Sequence, residues 1–352
     1  MSPNKTIGIL GGGQLAKMLA TAAADLGFNV NIYCPDTDCP AAQVANKVVF
    51  GNYDDNENLV AFVKNVDVLT YEFENIDTKA LEELDLFVNM RPSVKALKIS
   101  QDRLTEKSYL NSLGIKTTQF YRIDGVSEIE KLFIKLKRPI LIKTRRLGYD
   151  GKGQVLIKSQ DDINEHFLGK ELFPSIAEEV ISFDRELSVI IVRDKEGNIK
   201  TFEPGENVHE NGILRHSKIP ANITKKIFKE AQDIAIKFAE KLDYVGTLNL
   251  EFMIDNKDNL FFNEKSNRVH NGNWHTVNSY KICQFTNHIR AVCGLEFIEN
   301  KKISNAEMLN ILGEEIKEFR KKEYGENEYF FDYLKPDIRP NRKMGHLTIL
   351  KD

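Results

Sequence analysis

The stretch TIGILGGGQLAKMLATAAADLG, residues 6–27, limits the fold more than any other. A short apolar strand ends at Leu10, three glycines follow, and an alanine-rich amphipathic helix comes next. With NVNIY and VDVLT as further strands between helical stretches, this is the βαβαβ signature of a parallel sheet covered by helices. Gly11, Gly13 and Ala16 fit a G-x-G-x-x-A spacing, in which glycines let backbone N–H groups approach a phosphate at a helix N-terminus. A nicotinamide dinucleotide is one such ligand, and Asp36 stands where a ribose acid could lie, but any phosphate would suit the loop. No second Rossmann-like half and no hydride-transfer site accompanies it, so NAD is not expected.

At 352 residues the chain exceeds one ordinary core, and two or three domains are expected. A Rossmann-like domain over 1–92 is followed by QDRLTEKSYLNSLG, a helix stopped by Gly114. From Gln119 the pattern becomes α+β: QFYRI, PILIKT, QVLIKS, RELSVIIVRD and NIKTFEP read as strands. Residues 222–242 read as a helix with Ile227, Ala231, Ile234, Ala235, Phe238 and Leu242 on one face. GTLNLEFMID and NLFFNEK follow as two strands, and HLTIL as a strand near the end. A net charge of -3 gives no reason to expect nucleic acid or an anionic membrane, and no apolar run approaches the roughly 20 residues that span a bilayer. The first strand begins too early to leave room for a signal peptide, and Cys34, Cys39, Cys283 and Cys293 lack metal-site spacing. Free thiols in a reducing cytoplasm are expected.

A second glycine loop, RRLGYDGKGQ, joins PILIKT to QVLIKS. It is too long and too basic for a tight hairpin and suits a lid that folds over polyphosphate, although a solvated loop is the alternative. It is not a Walker A loop, because GKG replaces GK[ST] and no helix follows. Lys143 lies inside the apolar strand before it, where an unpaired ammonium would cost several kcal/mol to bury; a phosphate is the expected partner. Further on, DNKDN reads as a hairpin turn centred between Lys257 and Asp258, which sets Glu251 opposite Glu264. Like charges about 5 Å apart destabilise a sheet, and a hard divalent cation bound with phosphates relieves that. The combination points to Mg-ATP.

The succession GGGQLAKML, QDRLTEK, ILIKTRRLGYDGKGQ, EEVISFDRELSV, ENVHENGIL, NLEFMI, NEKSNRVHN and RKMGHLTIL resembles the 5-(carboxyamino)imidazole ribonucleotide synthase family of ATP-grasp enzymes, from about Ile7 to about Leu350. The resemblance implies an ATP-grasp fold: an N-terminal Rossmann-like domain (1–92), an ATP-grasp domain (93–295) with a lid subdomain at about 119–182, and a small C-terminal domain (296–352). It implies carboxylation of 5-aminoimidazole ribonucleotide with ATP and bicarbonate, in de novo purine synthesis. Another ATP-grasp ligase, such as a formate-using glycinamide ribonucleotide transformylase, is the rival reading. Magnesium (or manganese) is implied as cofactor, NAD and biotin are not, and a cytoplasmic homodimer is expected.

The resemblance also assigns roles. Arg103 and Lys143 would contact phosphates, and Gly148, Tyr149, Asp150, Gly151, Lys152, Gly153 and Gln154 would close over them. Glu178, Glu179, Val180 and Ile181 would form the linker that reads adenine, Glu186 would hold the ribose with His209 nearby, and Asn263 and Glu264 would lie at the phosphate end. Glu251 and Glu264 would bind the metal. Gln14, Leu15 and Glu72 would face the ribonucleotide, which Tyr149, Asp150, Arg268, His270, Asn271 and Lys343 would also hold. Lys143, Asp150, Arg268 and His270 would carry the chemistry, with Asp150 orienting the reacting amine or accepting its proton. One segment departs from the family: NEKSNRVHNGNWHT stands where it usually reads close to NEIAPRVHNSGHWT, so Lys265, Ser266 and Asn267 replace an apolar, proline-bearing stretch.

Overall fold

The computed structural model describes residues 4–148, 152–167 and 172–352. Strands β1 (Thr6–Leu10), β2 (Asn29–Cys34), β3 (Lys47–Phe50), β4 (Val68–Tyr71) and β5 (Asn89–Met90) form a sheet in the order β3-β2-β1-β4-β5. All four pairings are parallel. Strand order reverses between β1 and β4, where open α/β sheets leave a crevice beyond the carboxyl ends of their strands. Leu10 pairs with Tyr71 there, so Gly11 and Glu72 leave the sheet side by side.

Helix α1 (Gln14–Asp25) buries Leu15, Ala16, Leu19, Ala20 and Ala23. Its alanines allow close packing on the helix Gln284–Cys293, and Trp274, Phe285, Met308 and Tyr333 join the same core. The first and last segments of the chain therefore share one interior. Helices α2 (Asn56–Val63), α3 (Thr78–Leu84) and α4 (Val94–Ser100) lead to α5 (Arg103–Ser112). Asp102 caps α5 by accepting from the Leu104 and Thr105 N–H groups, and Gly114 follows its end at φ 73°.

A four-stranded sheet stands apart, built from β6 (Phe120–Ile123), β7 (Ile140–Thr144), β8 (Gln154–Ile157) and β9 (Ser175–Glu179) in the order β6-β9-β7-β8. Helices α6 (Val126–Leu136) and α7 (Gln160–Phe167) cover it through Ile129, Leu132, Ile163 and Phe167.

The largest sheet contains β10 (Arg185–Arg193), β11 (Ile199–Thr201), β12 (Gly205–Glu210), β13 (Ile213–Ile219), β14 (Gly246–Ile254), β15 (Leu260–Ser266), β16 (Asn305–Leu312), β17 (Glu328–Asp332) and β18 (Lys343–Lys351). Its path is β15-β14-β10-β12-β13-β16-β18-β17, with β11 on β10. Because β16 pairs with β13, the C-terminal strands continue the central sheet, and a boundary at residue 296 divides the sequence without dividing the sheet. Helix α8 (Lys225–Lys241) lays Ile227, Ala231, Ala235 and Phe238 on that sheet, while Ile234 is only partly buried.

The hairpin β14–β15 corrects one expectation. Ile254 faces Leu260 and Phe252 faces Phe262, so the turn centres on Lys257 instead of between Lys257 and Asp258. A register shift between Glu251 and Phe252 then adds one residue on β15 and brings Glu251 opposite Glu264 all the same. No helix among the described residues is long and apolar enough to cross a membrane, and all four cysteines are free thiols.

Candidate active site

Two cavities meet where the three sheets converge. The first, of about 270 Å³, lies between the four-stranded sheet and the large one. One end is lined by Leu141, Val180, Ile181, Phe183 and Met253, an apolar slot with main-chain polar groups at the exit of β9, suited to a flat heterocycle. Glu179 and Gln154 also line it. Next come Glu186 and His209, on the paired strands β10 and β12, whose carboxylate and ring Nδ1 are hydrogen-bonded. Burial opposes the imidazolium, but Glu186 outweighs it and raises the His209 pKa above the ordinary value.

At the far end stand Lys143, Arg103, Asn263 and Glu264. Lys143 is buried in β7, as its apolar neighbours require, with its Nζ 3.1 Å from Glu178 Oε2. Glu178 is shared: Lys107 Nζ lies 3.2 Å from Oε1, and Thr118 Oγ1 donates to Oε2 at 3.0 Å. Burial would raise this carboxyl, but Lys143 and Lys107 outweigh it and hold its pKa at about 2. Glu178 opens the segment expected to read adenine largely through main-chain groups, and its carboxylate neutralises two buried ammonium groups. Arg103 reaches 3.7 Å from Glu264 Oε2 and donates to Gly148 O at 3.2 Å.

The exit of β7 is tied to the cap of α5. Arg145 forms a fork on Asp102 through Nε at 3.0 Å and a second nitrogen at 2.6 Å, and the main-chain N–H of its neighbour Thr144 donates to Gly153 O at 2.9 Å. Gly153 has φ +73°, and a Cβ there would lie 2.6 Å from Thr144 Oγ1, so the loop's return requires glycine. Lys152 lies in the same loop without lining either cavity. Tyr149, Asp150 and Gly151 fall outside the described residues.

Glu251 and Glu264 form the wall shared by β14 and β15. His270 Nε2 lies 3.0 Å from Glu251 Oε1, and Asn249 Nδ2 donates to the same oxygen at 3.3 Å. Burial opposes ionisation of Glu251, but His270, His209 and Lys343 keep it below the ordinary carboxyl range. Two facing carboxylates with the Asn263 amide beside them are hard oxygen donors of the kind Mg²⁺ accepts. Among the described residues no group of three His, Cys, Asp or Glu could hold a metal alone, so phosphate oxygens or water would complete the shell.

The second cavity, of about 650 Å³, lies above the β1/β4 switch point. Glu72, Glu74, Arg145, Arg146, Lys265 and Arg268 line it, and Arg103, Glu264, His270, Asn271 and Lys343 line both cavities. The glycine loop wraps Glu72: Cβ atoms on Gly11 and Gly13 would lie 2.4 and 2.7 Å from its carboxylate oxygens. Burial raises the Glu72 pKa against the pull of Arg268, the Gly13 N–H and Lys335. A carboxylate thus sits where a pyrophosphate would approach this loop. Gln14 and Leu15 line neither cavity. Leu15 is core, because its position on α1 faces the helix packed below, and Gln14 Nε2 donates to Asn271 Oδ1 at 3.1 Å.

Several site residues escaped the sequence reading. Glu74 holds Arg268, with Oε2 2.8 Å from Nε. Lys265 is buried with its Nζ 3.6 Å from Glu106 and 2.9 Å from Asn267 Oδ1. Burial pushes Glu106 up to about 7 against Lys265 and lowers Lys265 against Glu106. Lys265 falls in the polar half of β15, between Glu264 and Ser266, so the apolar-strand signal that singled out Lys143 was absent there.

Three families of known proteins match the chain. The family described as ATP-grasp domain matches residues 108–285, the ribonucleotide synthetase preATP-grasp domain 4–101, and the phosphoribosylaminoimidazole carboxylase C-terminal domain 306–352. The chain is 41% identical to an N5-carboxyaminoimidazole ribonucleotide synthase of Brucella melitensis, covering 100% of this chain and 98% of that one. It is 37% identical to the enzyme so named in Bacillus subtilis, over 99% and 92%. An ADP complex of an N5-carboxyaminoimidazole ribonucleotide synthetase superposes with a TM-score of 0.96 at 35% identity, covering 100% and 94%. The Aspergillus clavatus enzyme, in complex with ADP and 5-aminoimidazole ribonucleotide, gives 0.93 at 29%, covering 100% and 95%.

Proposed function

The chain belongs to the N5-carboxyaminoimidazole ribonucleotide synthase family of ATP-grasp ligases, and we infer that it carboxylates the amine of 5-aminoimidazole ribonucleotide with ATP and bicarbonate. The products are N5-carboxyaminoimidazole ribonucleotide, ADP and phosphate, a step of purine synthesis. One observation carries the reading: a slot for a nucleotide and a larger anion-suited cavity share Arg103, Glu264, His270, Asn271 and Lys343 at their junction.

A bicarbonate oxygen attacks the γ-phosphorus at that junction and ADP leaves, giving carboxyphosphate. Lys143 and Arg103 offset charge on the transferring phosphoryl group. Mg²⁺ held by Glu251 and Glu264, with Mn²⁺ as a substitute, would supply further charge neutralisation there. Carboxyphosphate is a mixed anhydride that water destroys, so the loop after Thr144 must exclude water. The exocyclic amine of the ribonucleotide then attacks the carboxyl carbon, directly or after CO₂ release, and phosphate leaves. Asp150 would take the amine proton. Val180 and Ile181 read the adenine, Glu186 and His209 the ribose, and Arg268, His270, Asn271 and Lys343 hold the second substrate. The working form is a cytoplasmic homodimer in this reading, tested by sedimentation at working concentration.

Phosphate release measured with each substrate omitted tests the function. Turnover is expected to require ATP, bicarbonate and 5-aminoimidazole ribonucleotide together. Turnover sustained by formate and glycinamide ribonucleotide in place of the last two would make the chain a transformylase instead.

A further inference from the structure

Glu74 leaves β4 two residues beyond Glu72 and lines the second cavity, yet its carboxylate is engaged on both oxygens. Oε2 lies 2.8 Å from Arg268 Nε, and Oε1 accepts the Asn267 main-chain N–H at 2.8 Å. Its main chain is fixed as well: Gln101 Nε2 donates to Glu74 O and to Ile76 O, each at 2.7 Å. Asn267 is fully buried and cannot drift, because its Nδ2 donates to Ala96 O at 3.0 Å and to Ser100 Oγ. Arg268 also donates to Val269 O at 3.0 Å. The guanidinium thus carries an ion contact at Nε and a hydrogen bond from a terminal nitrogen, at a residue that follows the strand carrying Glu264.

We propose that Glu74 is a positioning residue that holds Arg268 in place for the anionic part of the ribonucleotide. The proposal rests on the reading that the second cavity takes that substrate. An arginine recognises an anion through a planar fork, and a fork held in place before binding loses less freedom on binding. Against this, a carboxylate 2.8 Å away reduces the positive potential the substrate meets. The two effects predict opposite results when Glu74 is removed. The grip from Asn267 and Gln101, neither of which is needed merely to neutralise Arg268, favours orientation as the dominant one.

Glu74→Ala and Glu74→Gln, assayed in the full chain with the ribonucleotide and ATP varied separately, decide between them. Glu74→Ala is expected to raise the ribonucleotide KM tenfold or more while the ATP KM changes less than twofold. Glu74→Gln, which keeps an acceptor for the Asn267 N–H, is expected to fall between it and the wild type. If Glu74→Ala does not fold, Glu74→Gln alone decides: a raised ribonucleotide KM there supports the positioning role. An unchanged or lowered ribonucleotide KM in folded protein overturns the proposal, as does an equal rise in both KM values, which would mark a purely structural prop. Failure of the wild-type chain to turn over this ribonucleotide overturns the reading beneath it, and is distinguished because no variant is then involved.

Discussion

Lys143 Nζ and Glu178 Oε2 lie 3.1 Å apart in the wall of the first cavity, with Lys107 on the other carboxylate oxygen. The carboxyl is held at about 2 against an ordinary 4.5. A depressed acid stabilises the fold fully above the ordinary value and loses that contribution as pH falls from about 4.5 towards about 2. Burial pulls Lys107 below the ordinary lysine range, which offsets part of the gain. Urea midpoints between pH 6 and pH 3 are expected to fall more steeply in the wild type than in Glu178→Gln. At pH 7 the variant should lose about 3–5 kcal/mol, because two buried ammonium groups share no anion. Parallel pH slopes would refute the pairing.

The facing carboxylates yield a second prediction. Glu264→Gln is expected to nearly abolish turnover at limiting magnesium while leaving the melting temperature close to the wild type, since its side chain is half exposed. Glu251→Gln should lose turnover similarly. The double variant should be little worse than either single one, because groups that act as a unit are not additive. Near-normal turnover in Glu264→Gln, measured by phosphate release across a magnesium titration, would remove the metal from this hairpin.

Buried Lys265 on β15 and Glu106 on α5 lie 3.6 Å apart. Breaking a buried pair from one side strands a charge, whereas replacing both partners with apolar groups is often neutral or stabilising. Lys265→Met alone is expected to cost about 1–2 kcal/mol at pH 8, because a Glu106 carboxyl raised to about 7 escapes stranding by taking up a proton, and Lys265→Met with Glu106→Leu to recover most of it. With Glu106 raised to about 7, the penalty of the single variant should shrink as pH drops below that value. Denaturant unfolding at pH 8 and pH 5.5 checks both signs; a double variant worse than the single would overturn the account.

Much of this site was legible because its chemistry sits on periodic elements. Lys143 announced itself as a charge in an apolar strand, and Glu251 and Glu264 as acids equidistant from a turn. The turn was misplaced by half a residue, since a β-bulge leaves no mark in a pattern of alternating side chains. Strands β3, β5, β9, β12, β13, β16 and β17 passed unread: β5 has two residues, and β3 shows only intermediate or exposed burial. Leu15 followed the glycine motif, and a motif does not say which way a helix turns its residues. Glu74, Glu106 and Lys107 were invisible for a different reason: each gains meaning from a partner 71 to 194 residues away.

Lys343 gives the sharpest kinetic test. A lysine near a chain end ordinarily keeps a surface solvated, but Lys343 opens β18 and lines both cavities. Its strand cannot slide: Met344 is fully buried, and a Cβ on Gly345 would lie 2.6 Å from Phe331 O, so β17 and β18 are in tight contact. Lys335 Nζ donates to Lys343 O at 2.8 Å, which fixes the main chain further. An ammonium placed this way beside Arg268 and His270 suits an anionic group of the second substrate. Lys343→Ala is expected to raise the ribonucleotide KM strongly and the ATP KM little. Loss of one charge-assisted contact corresponds to about 1.5–3 kcal/mol, roughly ten- to more than a hundredfold in kcat/KM. Lys351→Ala, at the exposed far end of the same strand, serves as the control and should leave both constants unchanged. A rise in the ATP KM alone would assign Lys343 to the nucleotide instead.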